Sequence, residues 1–278
     1  MTGSMKSEKR LGTICFIGGG QMAEALIKGL LKKQVFESKD IYCSEPVEKR
    51  RKYLQEQYRI TTFSNNQEAV KNADIVLLAV KPQVMDLVLE ELKAAVQAHH
   101  LVISIAAGVT IKRLQALLGQ DKRIIRVMPN TPALVLEGAA GISKGDNATQ
   151  EDLDTALYIF NAIGKAVEVP ESLMDAVTGL SGSGPAYCFQ FIEALIQAGI
   201  REGLPQPIAS TLAIQTVIGS AKMCEKTQRH PIELLSMVTS PGGTTIQGVY
   251  QLERSGFSGI VMDAVNAATR RSKELGEE

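Results

Sequence analysis

Apolar residues in the first part of the chain fall in short, regularly spaced runs between Leu11 and about Pro170: TICFI, DIYCS, ADIVLLAV, LVISIA, RIIRVM and AVEVP. Most of these runs are shorter than a helix needs and nearly uniform in apolar character, as strands covered on both faces are. Segments with helical spacing, such as QMAEALIKGLLKK and PQVMDLVLEELKAAVQA, separate most of them. Strand and helix in alternation predict an α/β domain, a doubly wound parallel sheet with helices on both sides.

After Pro170 the strand signal stops. Pro185 to Gly203, Pro207 to Glu225, Pro231 to Val238, Thr244 to Ser255 and Phe257 to Leu275 all read as helix. Proline begins three of them, where its missing N–H costs nothing. The expected division is residues 1–170, doubly wound, and residues 171–278, all-α. Between Ala176 and Ala221 only Glu193, Arg201 and Glu202 are charged, so these helices must be covered almost all round. Gln190, Glu193, Gln197, Arg201 and Glu202 interrupt the first of them before it could span a bilayer. Burial in an intertwined homodimer is therefore expected over a membrane hairpin.

The chain has 278 residues, 45% hydrophobic and 22% charged, with 30 basic residues against 30 acidic ones. Balanced charge, and no basic run with interleaved aromatics, give nothing to attract nucleic acid or an anionic membrane, and point to a small-molecule partner. The polar amino terminus MTGSMKSEKR has no apolar core of a signal sequence, which reads as a cytoplasmic protein. Cys15, Cys43, Cys188 and Cys224 show no CxxC spacing and are expected to be buried free thiols, and no set of metal ligands stands out. His99 and His100 are expected at a solvated helix end, and His230 in a turn.

The chemistry concentrates at strand ends. ICFIGGGQMAEAL places Gly18, Gly20 and Ala23 between a strand and a helix, the spacing of a dinucleotide-binding turn. Gly18 permits the tight turn, Gly20 lets the backbone approach a diphosphate, and Ala23 lets helix and strand pack closely. The second strand ends at Ser44 and Glu45, and an acidic residue there meets ribose hydroxyls, favouring NADH. Ser44, Lys49, Arg50 and Arg51 offer the opposite reading, a seat for the 2'-phosphate of NADPH, while the plainer reading makes the last three the solvated face of a helix. Ala79, Val80 and Lys81 follow one strand, Ala106, Ala107 and Gly108 another, and RVMPNTPA a third, on the edge where ligands bind in open α/β sheets.

A second candidate lies in the helical half. SPGGTT, Ser240 to Thr245, separates two helical segments without a charged residue. Pro241 ends one helix, Gly242 and Gly243 free the backbone, and Thr244 and Thr245 begin the next, whose N–H groups suit a carboxylate. A plain turn with a threonine cap uses the same letters.

Taken in order, FIGGGQMAEALIKGL, AVKP, SIAAGVT, RVMPNTPALV, GLSGSGPAY, GSAKM and TSPGGTTIQGV resemble the pyrroline-5-carboxylate reductase family from Leu11 to about Leu275. The resemblance implies a Rossmann domain, a helical dimerisation domain, assemblies of dimers, and reduction of 1-pyrroline-5-carboxylate to L-proline by NADPH or NADH. It carries cofactor contacts onto Gly18, Gly20, Gln21, Met22, Ser44, Asn66, Ala79, Val80, Lys81, Ala106, Ala107 and Gly108. It carries the substrate loop onto Gly242, Gly243, Thr244 and Thr245. From the chemistry of the loop itself Ser240 is expected to join them, and the Thr245 hydroxyl, as donor to the ring nitrogen or as orienter of a protonated iminium, is the expected catalytic group. On residue chemistry alone, a reductase of another imine or keto acid, or a non-catalytic dinucleotide sensor, stays open.

Overall fold

The computed structural model describes residues 11–277, so the polar amino terminus lies outside the described residues. The chain divides into two compact units, one of residues up to Gly182 together with those from Ala268 onward, the other Ser183–Ala267. The division falls after Gly182, beyond the end of the strand signal at Pro170, because the segment that follows the last strand packs back on the sheet.

The first unit opens with β1 (Ile14–Ile17), α1 (Gln21–Lys32), β2 (Ile41–Ser44), α2 (Glu48–Tyr58), β3 (Thr61–Phe63), α3 (Asn66–Val70) and β4 (Ile75–Leu78). It continues through α4 (Met85–Leu92), β5 (Leu101–Ser104), α5 (Ile111–Leu118) and β6 (Arg123–Met128), then β7 (Gly138–Lys144), α6 (Gln150–Asn161), β8 (Gly164–Glu168) and α7 (Met174–Val177). These strands form one sheet in the order β3-β2-β1-β4-β5-β6-β7-β8. Every pairing is parallel except β6 with β7. The expected doubly wound parallel sheet is present over β1–β6, including the short β3, while β7 and with it β8 run antiparallel to these six, a reversal that the run of apolar segments does not announce.

Strand alternation explains the two-sided core. Ile14 and Phe16 of β1 join Leu26, Ile27, Leu30 and Phe160 on one face, while Cys15 and Ile17 join Val76, Leu89 and Leu114 on the other. Each such fully buried side chain contributes about 1.5–3 kcal/mol. The thiols of Cys15 and Cys43 are buried as expected, and burial pushes Cys43 up to about 12. Cys188 is exposed in the single chain, contrary to expectation. His100 is also not solvated: it is 1% exposed, and its Nδ1 accepts the Gln97 N–H at 2.8 Å.

The second unit is helical: α8 (Gly184–Arg201), α9 (Gln206–Thr227), α10 (Pro231–Val238), α11 (Thr244–Arg254) and the first part of α12 (Phe257–Glu277). Proline occupies the first or second position of α8, α9 and α10. His230, expected in a turn, is the N-cap of α10, its Nδ1 accepting the Ile232 N–H. Only Ile196, Ala209 and Ala213 form a buried cluster, whereas Phe189, Leu212, Ile214 and Ile218 are exposed. A single copy therefore leaves uncovered the helices whose sequence demands cover. Among the described residues no helix is long and apolar enough to cross a membrane.

Candidate functional site

In the sheet order β1 lies between β2 and β4, so chain crossovers leave it in opposite directions and a crevice opens beyond the carboxyl ends of the strands. Gly18, Gly19 and Gly20 turn the chain there from β1 into α1. Each is glycine for a different reason. Gly18 has φ +95°, and a Cβ on it would stand 2.9 Å from the Ala79 carbonyl oxygen. A Cβ on buried Gly19 would meet Leu54 Cδ1 at 2.7 Å. Gly20 has φ −68° and ψ −174°, a conformation open to any residue, and a Cβ there would meet nothing within 4 Å. Nothing inside the protein requires glycine at this position, and its bare backbone stands open to the close approach of a ligand.

The head of α1 suits that ligand. No side chain caps it, so the N–H groups of its first turn and the positive end of its dipole are available to an anion. Exposed Gln21 and half-buried Met22 begin the helix, and buried Ala23 packs into the core as its small size allows.

Two other strand ends converge on the turn. Ser44 is buried, and its carbonyl accepts the Gly18 N–H at 2.8 Å. Ala79 donates its N–H to the Ile17 carbonyl at 2.8 Å, and a Gly18 Cβ would lie 3.0 Å from Val80 Cγ1. Lys81 is exposed at the start of the short turn Pro82–Val84. Beyond β5, Ala106 is buried, Ala107 exposed, and Gly108 has φ +75°. Asn66, at the start of α3, donates through Nδ2 to Glu91 Oε2 at 2.7 Å.

Glu45 does more than the sequence suggests. Its Oε2 accepts the Gly19 N–H and its Oε1 the Val47 N–H, both at 3.0 Å. The basic residues after it are not a solvated face. Arg50 donates to the Gly19 carbonyl at 2.6 Å, and Arg51 to the Glu45 and Pro46 carbonyls at 2.6 and 2.8 Å. Only Lys49 points to solvent as the sequence reading allowed. Sequence reasoning missed Glu24 and Arg50 as builders of the turn, because contacts between residues so far apart leave no local signal.

In the second unit, Gly243 donates its N–H to the Ser240 carbonyl at 3.0 Å, closing a tight turn with Pro241 second and Gly242, φ +70°, third. The threonine cap is absent. Gly243 is the residue before α11 and no side chain caps the helix, so Thr244 and Thr245 lie within its first turn with their N–H groups uncapped. Ser240, Thr244 and Thr245 are exposed. Among the described residues no group of three or more His, Cys, Asp or Glu is placed to hold a metal ion.

Comparison with known proteins agrees with both units. Residues 13–108 match the family described as NADP oxidoreductase coenzyme F420-dependent, and residues 171–275 match pyrroline-5-carboxylate reductase dimerisation. The chain is 50% identical to pyrroline-5-carboxylate reductase of Methanosarcina acetivorans, over 95% of this chain and 98% of that protein. The chain belongs to the pyrroline-5-carboxylate reductase family. The Arabidopsis thaliana pyrroline-5-carboxylate reductase is 45% identical over 94% of this chain and 95% of its own. The Coxiella burnetii reductase structure superposes with a TM-score of 0.91 at 37% identity, covering 95% of this chain and 98% of that one. The Plasmodium falciparum pyrroline carboxylate reductase, solved with NADP bound, gives 0.86 at 35% identity, covering 96% and 99%.

Proposed function

We propose that this chain reduces 1-pyrroline-5-carboxylate to L-proline, with NADPH or NADH as the reductant. The observation that carries the reading is Gly20, a glycine with no internal reason to be one, at the uncapped head of α1 in a chain whose full-length relatives are reductases of this imine. The first unit is the dinucleotide-binding part. Its glycine turn receives the diphosphate, the β2 end the adenosine ribose, and the loops after β4 and β5 the nicotinamide half.

When bound, the reduced nicotinamide supplies a hydride, and the protein's part is to bind, orient and polarise. In the second unit the N–H groups of Thr244 and Thr245 receive the substrate carboxylate, helped by the positive end of α11. The Thr245 hydroxyl donates to the ring nitrogen, or orients it when already protonated, so that the imine carbon is left electron-poor. Ser240 and the two glycines shape the loop.

The exposed apolar residues of α8 and α9 support a homodimer, since a surface with Phe189, Leu212, Ile214 and Ile218 uncovered is an association site. Sedimentation at micromolar concentration should give at least the dimer mass, and the same trace reads any assembly of dimers; a stable monomer contradicts this part. We place the enzyme in the cytoplasm, as its sequence suggests. The activity is tested by consumption of NADPH and NADH with pyrroline-5-carboxylate beside pyrroline-2-carboxylate. Turnover of the first is expected, and tight nucleotide binding without turnover of either would make the chain a sensor.

A further inference from the structure

Arg50 stands on α2, yet its guanidinium spans the glycine turn. Nε donates to the Gly19 carbonyl at 2.6 Å, and Nη2 to the Gly20 carbonyl at 3.3 Å and to Glu24 Oε2 at 2.6 Å. Glu24 Oε1 accepts the Tyr53 and Tyr58 hydroxyls at 2.8 and 2.7 Å, and the Arg50 guanidinium lies 5.1 Å from the Tyr53 ring centre. Burial opposes ionisation of Glu24, but hydrogen bonds from Tyr58, Arg50 and Tyr53 outweigh it and hold the carboxyl below its ordinary range. The arginine is thus fixed on three sides.

In a trans peptide the carbonyl and the following N–H point in opposite directions. Binding the Gly19 and Gly20 carbonyls therefore turns the N–H groups of Gly20 and Gln21 away from Arg50. Gly19 has both its backbone polar groups held from the β2–α2 segment, the N–H by Glu45 and the carbonyl by Arg50. Taking the dinucleotide reading as given, we infer that Arg50 is a positioning residue for the diphosphate: it sets the cradle's N–H groups through their carbonyl partners and does not bind the 2'-phosphate.

The two roles give different patterns of loss. A 2'-phosphate ligand matters to NADPH alone, whereas a residue that sets the turn matters to every nucleotide carrying the diphosphate. Arg50→Met keeps the stem and removes the donors. In equilibrium titrations of the full-length protein it should weaken NADPH, NADH and ADP-ribose by roughly tenfold each, as loss of charge-assisted hydrogen bonds predicts, and to within about twofold of one another. KM for both nucleotides should rise in parallel while KM for the imine does not follow. Glu24→Gln, which leaves Arg50 in place with a weaker partner, should give a smaller loss of the same pattern, and it serves where Arg50→Met does not fold. A loss confined to NADPH, or unchanged binding of all three, overturns the inference. Failure of the wild-type protein to bind any of the three would instead remove the dinucleotide reading on which it rests.

Discussion

Glu45 Oε2 accepts the Gly19 N–H at 3.0 Å, so the acidic residue at the end of β2 is part of the turn it adjoins. A substitution there changes two things at once. Glu45→Ser removes a charge that repels a 2'-phosphate, an effect on the order of 1–3 kcal/mol or roughly 5- to 150-fold in the ratio of NADPH to NADH efficiency. It also frees the Gly19 N–H, so efficiency with NADH should fall outright. Steady-state kinetics with both nucleotides read the two effects separately, and an unchanged ratio would sink the discrimination role.

Gly18 and Gly20 should answer substitution differently. Gly18→Ala puts a Cβ against the Ala79 carbonyl at a φ of +95° and should destabilise the fold by about 1–3 kcal/mol. Gly20→Ala meets open space, so stability without nucleotide should change by less than about 1 kcal/mol while NADPH affinity falls tenfold or more. Denaturation without nucleotide, followed by titration, separates them. A Gly20→Ala protein that binds NADPH as tightly as wild type would mean that no ligand lies over this residue.

Buried His100 predicts a pH dependence of stability. Its Nδ1 accepts the Gln97 N–H at 2.8 Å and its Nε2 lies 3.2 Å from the Val70 carbonyl, a pair that the neutral ring with Nε2 protonated satisfies. Burial, then neighbouring His99, lowers the folded-state value below the ordinary 6.5. The unfolded chain therefore takes up the proton first as pH falls. The stability of the neutral ring is fully present above about pH 6.5 and lost below it. His100→Gln should flatten the fall of Tm between about pH 7 and 5, and parallel curves for the two proteins would refute the assignment.

Thr245→Val keeps the shape of the side chain and removes its hydroxyl. If that hydroxyl acts on the ring nitrogen, kcat/KM for the imine should fall by about 1.5–3 kcal/mol, roughly 10- to 150-fold, with little change in nucleotide affinity. Near wild-type turnover with the fold intact by circular dichroism would return Ser240–Thr245 to the status of a turn.

The parts of this structure that can be read from sequence are those set by local rules. Glycine spacing marked the β1–α1 turn, proline marked the starts of α8, α9 and α10, and the charge-poor stretch from Ala176 marked helices that one copy leaves exposed. The antiparallel β7, GAAGISK, escaped because its small residues carry no clear period. His100 escaped because a polar helix end gives no sign that Val70, far away in sequence, will cover it. The contact of Arg50 with the glycine turn escaped for the same reason: by spacing Arg50 belongs to a solvated helix face or a phosphate seat, and only the fold brings it to Gly19.

The central claim is that hydride passes from the nicotinamide to the imine carbon of the pyrroline ring, the atom that becomes C5 of proline, and following the hydrogen itself tests it most directly. The enzyme, supplied with pyrroline-5-carboxylate and NADPH carrying deuterium at both nicotinamide C4 positions, should yield L-proline with a single deuterium, located at C5, in amount equal to the nucleotide oxidised. Unlabelled proline, label at another carbon, or nucleotide oxidation without proline would contradict the account.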